Sequence, residues 1–318
     1  MKLASCLALC AILSLTAPAR PAELVPGDLL IADPDAVAIV RVDPTDGVQE
    51  IIAFEGELMF PVDLVLEPSG SIAVADPDAG TIFRIDPDNG AQTVVVTGFA
   101  PWGIALDADS GLVFVNNDHE DSTVLYRIAA GGTTADPVSD DPAIVFPLRV
   151  AIADDGTLYV TDLNGPTIFA VDPSTGAANA ISTGLPLVSP TAITIDSDGN
   201  LLVADSLAGA IFRIDPDDGV PLEISDEDGL GFPTGVALNA RGDLVVSDGD
   251  SSLGATPRIV ALDPAGGAVD ELSSGGELVF PNGIRVVPEP GATTMATAVL
   301  ATLAVLARNR QRRMGAAN

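Results

Sequence analysis

One phrase returns six times along this chain, each time headed by proline: Pro61, Pro101, Pro147, Pro190, Pro233 and Pro281, at spacings of 40, 46, 43, 43 and 48 residues. Its fullest copies are "FPVDLVLEPSGSIAVADPDAGTIFRIDP" from Phe60 and "SPTAITIDSDGNLLVADSLAGAIFRIDP" from Ser189. Each unit holds a short alternating run, an Asp/Gly or Ser/Gly turn, a second run ending in Asp or Asn, another turn, and a third run of the Ile-Phe-Arg-Ile kind closed by Asp-Pro. Period-two runs separated by turn chemistry predict antiparallel strands joined by hairpins. A period in the low forties with three to four strands per unit predicts the blades of a β-propeller, and no stretch of the body carries a helical period.

The ends set the blade count. The body opens at Gly27 with the second, third and fourth strands of a blade but without a proline-headed first strand; the orphan first strand is "FPNGIRVV", residues 280–287. Joining them predicts six blades over residues 23–287. The C-terminal strand completes the N-terminal blade, so the ring has no open edge where its ends meet. The phrase P-x-G-I-A-x-D-x-x-G-x-L-x-V-A-D, over residues 27–287, resembles the NHL-type repeat and the six-bladed family of gluconolactonases and streptogramin lyases. Such blades serve enzymes and binders alike, so the resemblance implies a fold before a function.

In that family, catalysis is expected where the innermost strands begin. The residue after each head proline is Val62, Trp102, Leu148, Thr191, Thr234 and Asn282 in turn. Gluconolactonase-like propellers place Asn and Asp metal ligands at this level. Of the six, only Asn282 matches by residue type, with no partner carboxylate at the same level. Strict alternation turns Asp63 and Arg149, one residue further along, to the opposite side. Lyase-like propellers need channel histidines, whereas this sequence has one histidine, His119, in the loop "NNDHED". One ring builds no histidine metal site, and no G-x-S-x-G elbow occurs. Candidate channel residues are therefore Asn282, Trp102, Thr191 and Thr234, with Trp102 either lining a pocket or packing between blades; no metal is assigned.

A second regular feature is Asp33, Asp76, Asn117, Asp162, Asp205 and Asp248, one at each second-strand end. It reads either as a carboxylate belt for Ca²⁺ or a cationic ligand, or as a repeated side-chain-to-backbone hydrogen bond holding the next turn. Recurrence in every blade favours the second. The acidic turns, such as "DPDAG" and "DPDDG", miss the D-x-D-x-D-G spacing and downstream Glu of an EF-hand loop. No cofactor is implied beyond loosely held surface Ca²⁺. Between Glu23 and Val287 stand 44 Asp and Glu against 8 Arg, a formal charge of −36. That field repels nucleic acid and anionic lipid.

Both ends of the chain read as targeting. Residues 1–19, "MKLASCLALCAILSLTAPA", have a cation at Lys2, an apolar run and an Ala17-Pro18-Ala19 site, the marks of a secretory signal peptide. Cleavage there removes Cys6 and Cys10, leaving a body without thiols. At the other end, Pro288, Glu289 and Pro290 precede a 17-residue apolar run, 291–307, and the arginines Arg308, Arg310, Arg312 and Arg313. The run reads as a short C-terminal transmembrane helix, and its flanking cations set the C-terminus in the cytoplasm. Residues 288–313 resemble the PEP-CTERM sorting signal of Gram-negative bacteria. That resemblance implies an exosortase as partner, a tethered periplasmic precursor, and final delivery to the cell surface or exopolysaccharide matrix.

The leading expectation is thus a non-enzymatic surface or matrix propeller with a binding or scaffolding role. The alternative is a metal-dependent lactonase or lyase of the gluconolactonase-like or streptogramin-lyase-like kind.

Overall fold

A computed structural model describes residues 23–118, 124–225, 229–249, 256–263 and 269–289. The signal peptide with Cys6 and Cys10, His119, Pro290, the 291–307 run and the terminal arginines lie outside the described residues.

Every regular element among the described residues is a strand, and the strands form six four-stranded antiparallel sheets. The first blade combines β1 (Leu29–Asp33), β2 (Ala38–Val42) and β3 (Gln49–Phe54) with β24 (Ile284–Val286) from the far end of the body. The second has β4 (Asp63–Leu66), β5 (Ile72–Asp76), β6 (Thr81–Ile85) and β7 (Gln92–Thr97). The third has β8 (Pro101–Leu106), β9 (Leu112–Asn116), β10 (Leu125–Ile128) and β11 (Ala135–Ser139). The fourth has β12 (Pro147–Ile152), β13 (Leu158–Asp162), β14 (Thr167–Val171) and β15 (Ala178–Thr183). The fifth has β16 (Pro190–Ile195), β17 (Leu201–Asp205), β18 (Ala210–Ile214) and β19 (Pro221–Glu223). The sixth has β20 (Pro233–Leu238), β21 (Leu244–Asp248), β22 (Arg258–Leu262) and β23 (Val269–Ser274). The proline-headed strands are innermost and contact one another around the axis.

The predicted ring closure is present. Strand β24 pairs with β1 through Leu29↔Val286, Leu30↔Arg285 and Ile31↔Ile284. Backbone bonds extend the pairing in both directions, from Asn282 N to Ala32 O at 2.9 Å and from Val287 N to Asp28 O at 2.8 Å. The fold therefore runs to Val287, and Pro288 and Glu289 follow directly as exposed residues.

Burial explains the sequence pattern. The second strand of each blade is packed on both faces, so its residues read as nearly continuous apolar runs, as in "LLIAD" and "IAVAD". The outer strands are largely open to water, with one buried residue in each of β7 and β15. Apolar side chains gather into six clusters, one between each pair of neighbouring blades. Phe83, Phe114 and Phe212, which occupy matching third- or second-strand sites, are among the largest fully buried side chains. The blade-to-blade contact, not any single sheet, is the hydrophobic core.

Candidate functional site: the axial channel

The second-strand carboxylates were read above as a turn device or a ligand belt, and their oxygens are spent on backbone amides, except that Asp248 Oδ2 accepts from the Arg258 guanidinium. Asp76 accepts from Ala79 N at 3.0 Å, in the turn to the third strand, and from Met59 N and Phe60 N, just ahead of its own blade's head proline, Pro61. Asp205 does the same with Ala208, Val188 and Ser189; Asp33 does so with Ala36, Val279 and Phe280. In the third blade the residue in this role is Asn116, not Asn117: Asn116 pairs with Pro101 and its Oδ1 accepts from Ala100 N at 2.8 Å. The two adjacent asparagines are indistinguishable by type, and only the strand register separates them. Burial pushes the Asp33 carboxyl above its ordinary range, against the pull of its three amide donors.

Likewise, the acidic turns hold themselves. Asp43, Asp86, Asp172 and Asp215 each accept the N–H two residues on, at 2.8–2.9 Å. No group of three or more His, Cys, Asp or Glu close enough to hold a metal ion occurs among the described residues.

At the axis, one expectation is overturned. Asp63 and Arg149 do not face away from the channel residues; they meet at its centre. Strict alternation fails because the innermost strands bulge directly after their head prolines. Pro147 pairs with Asp162 but Arg149 with Thr161, and the same shift follows Pro101, Pro190 and Pro233. The extra residue re-aims those that follow.

The Arg149 guanidinium is 5% exposed and spans the channel. Its Nη1 donates to Trp102 O at 2.7 Å and Leu148 O at 3.2 Å, and its Nη2 to Val62 O at 2.9 Å and Asn282 Oδ1 at 2.6 Å. Its Nε lies 3.6 Å from Asp63 Oδ2. One side chain of the fourth blade thus ties down the third, second and first. Burial lowers the Arg149 pKa, the Asp63 carboxylate opposes that, and neighbouring Arg285 adds to it. Asp63, fully buried, also accepts from Ile104 N at 3.0 Å and Leu64 N at 2.9 Å. From the other side Arg285 Nη2 reaches Asp63 Oδ1 at 3.2 Å and Ile104 O at 3.2 Å.

The remaining candidates also act as stitches between blades. Thr191 Oγ1 donates to Pro233 O at 3.1 Å, and Thr234 Oγ1 to Pro281 O at 2.6 Å. Half-buried Trp102 sits edge-on to Phe60, ring centroids 6.5 Å apart, while its carbonyl receives Arg149. Neighbouring inner strands approach so closely that a Cβ at Gly283 would come within 2.6 Å of the Asp63 Cα. Asn282 therefore faces a guanidinium. The arrangement gives two arginines to a single carboxylate, the reverse of what a divalent metal requires of its ligands. Sequence reasoning missed Arg285; its signal was a cation inside the otherwise apolar strand "IRVV".

No protein-family model matches the chain, and no curated protein matches it in sequence. Among solved structures, the chain resembles one from a nidogen/laminin complex, with a TM-score of 0.66 and 18% identity over 82% of this chain and 98% of that one. It resembles a streptogramin B lyase, with a TM-score of 0.61 and 17% identity over 83% and 89%. It also resembles a putative gluconolactonase, with a TM-score of 0.53 and 21% identity over 67% and 77%. At these identities the likeness is one of fold, and the chain is a six-bladed β-propeller.

Proposed function

We propose that this chain is an exported binding or scaffolding propeller of the cell surface or extracellular matrix, sorted by an exosortase that reads Pro288, Glu289 and Pro290. The observation that carries this reading is the exit of the chain from the fold. Val287 is bonded to Gly27 and Asp28, 7% exposed, and the exposed Pro288 follows with no linker. A cut at or beyond the triplet would free the ring without removing a strand. The axis supports a non-catalytic role, because Asn282 Oδ1, the Thr191 and Thr234 hydroxyls and the Asp63 carboxylate already join blades. An exopolysaccharide or another surface component is the partner that such a destination implies.

Intact-mass measurement of the protein from matched Gram-negative hosts, with and without an exosortase, tests the reading. Loss of the 291–318 tail only in the exosortase-bearing host is expected. A tail retained in both hosts would leave an ordinary membrane anchor.

A further inference from the structure

Below the Arg149–Asp63 level, the axis opens on the face opposite the head prolines as a well of about 350 Å³. That is the small end of the range for ligand sites, about 300–1,000 Å³. Its wall comes from the innermost strands of all six blades, with residues such as Val65, Ala105, Val150, Ile193 and Val236, each 8% exposed or less, and Val286. One lining side chain is charged: Arg285, 27% exposed.

Arg285 is pinned rather than spent. Its Nη1 donates to Ile284 O at 2.8 Å, and its Nη2 faces Ile104 O and Asp63. Of the five N–H groups of a guanidinium, the Nε–H and one Nη1–H take no protein acceptor among the described residues. Asp63 is already shared with Arg149, so the trio carries one positive charge in excess. A held cation in an apolar surround, with donors to spare, is complementary to an anionic head on an apolar body. A neutral apolar ligand would leave those donors unmatched, and a cationic one would meet repulsion.

We propose that this well binds a small amphiphilic carboxylate, with its head on Arg285 and its aliphatic body against the inner-strand valines and isoleucines. The proposal stands apart from the sorting reading, since it concerns the opposite side of the axis from Asn282 and makes no use of processing. Pro288 lies on the rim, so the chain's own apolar continuation is the competing occupant.

Equilibrium dialysis of radiolabelled octanoate against the full chain, below the concentration at which octanoate forms micelles, tests it. Circular dichroism verifies that each variant is folded. One octanoate per chain is expected, displaced by unlabelled octanoate but not by octanol or octylammonium. R285Q removes the cation and T194F, at a half-buried lining position, fills the well while leaving Arg285; each alone should weaken binding at least tenfold, and R285K should retain most of it. The two variants fail independently, so either one that folds suffices. Unchanged affinity in both, equal displacement by octylammonium, or no octanoate bound to the wild-type chain would overturn the proposal, the last result pointing to the chain's own tail in the well.

Discussion

The guanidinium of Arg84 forks onto the carboxylate of Glu67, Nη2 to Oε1 at 2.7 Å with Nε on Oε2 beside it. Glu67 is 7% exposed and Arg84 27%. The same pairing recurs as Arg127 with Asp107 and Arg213 with Asp196, and Arg41 finds Asp28 in the first blade. Where the position matching Arg84 is not arginine, the carboxylate is missing too: the fourth blade has Ala170 and Ala153, and the sixth Ala261 and Asn239, its third-strand arginine, Arg258, lying three residues earlier and pairing with Asp248. Donor and acceptor come or go together, blade by blade. The partner carboxylates raise the pKa of Arg84 and Arg41 through these hydrogen bonds.

Breaking one such fork should therefore cost more than deleting it whole. E67A leaves a mostly covered guanidinium without its acceptor, a loss of about 1–3 kcal/mol. The E67A/R84A double variant should recover part of that, giving a coupling energy of about 1 kcal/mol in a urea-denaturation cycle. Strict additivity of the two single variants would show that the fork contributes nothing.

At the axis the penalty should be larger. R149M removes the donors to three carbonyls, those of Trp102, Leu148 and Val62, and leaves Asn282 Oδ1 without its partner, so a loss of about 3–5 kcal/mol is expected. R149K keeps the charge but not the planar fork that reaches Trp102 O and Val62 O together, and should not restore stability. Thermal melts of the two variants decide this; a lysine variant as stable as wild type would reduce Arg149 to a counter-charge for Asp63.

Asp162 offers a graded test of the second-strand ring. It accepts from Val145 and Phe146 at 2.6 and 2.9 Å and from Asn164 at 2.6 Å. D162A strands these amides at about 1–3 kcal/mol for each that water cannot reach. D162N keeps one acceptor oxygen, as Asn116 does in the third blade, and should lose clearly less. Equal losses in chemical denaturation would mean that the charge, not the acceptor count, matters at this site.

The blade count, the closure and the structural use of the ring were legible because each rests on a repeated phrase. A feature needed in every blade is written six times. What was hidden occurs once. The bulge after the head proline leaves no composition mark, so Asp63 and Arg149 could not be placed by alternation alone, and Arg285 looked like any polar residue of a terminal strand. Asn116 and Asn117 differ only by register.

Mild acid and added salt should both stabilise this molecule, and stronger acid should destabilise it. Hydrogen bonds hold four turn carboxyls below their ordinary value of 3.8: Asp43 by the Thr45 hydroxyl and amide, Asp172 by Ser174, Asp155 by Thr157, and Asp141 by the amides of Ala178 and Ala143. A depressed folded pKa contributes stability that is present above the unfolded value and is lost as pH falls through the folded one. Asp33, raised by burial, runs the other way, one group against four. From pH 7 down to about 5, the first protons instead relieve the repulsion of a body at −36. Tm should thus rise modestly to a maximum near pH 5 and drop below about 3.8, and added salt should raise it at pH 7 more than at the maximum. A Tm that falls steadily from pH 7 would show that repulsion is not a significant term.

Truncation should reveal how abruptly the fold ends. A chain stopped after Val287 keeps β24 and the bonds from Val287 N to Asp28 O and from Gly27 N to Val287 O, and should melt within a degree or two of longer forms. Stopping after Leu278 removes Ile284, which is fully buried against Leu29 and Ile31. It also takes the amides of Val279 and Phe280 from Asp33 and leaves β1 as an open sheet edge. Loss of one buried isoleucine alone costs about 2–5 kcal/mol, and an unpaired edge invites association. This shorter chain should be degraded or aggregated, with limited proteolysis cutting throughout the body rather than at its ends. If it instead melts cooperatively near the wild-type temperature, the ring does not depend on its C-terminal strand, and a cut upstream of Pro288 becomes as tolerable as one beyond it.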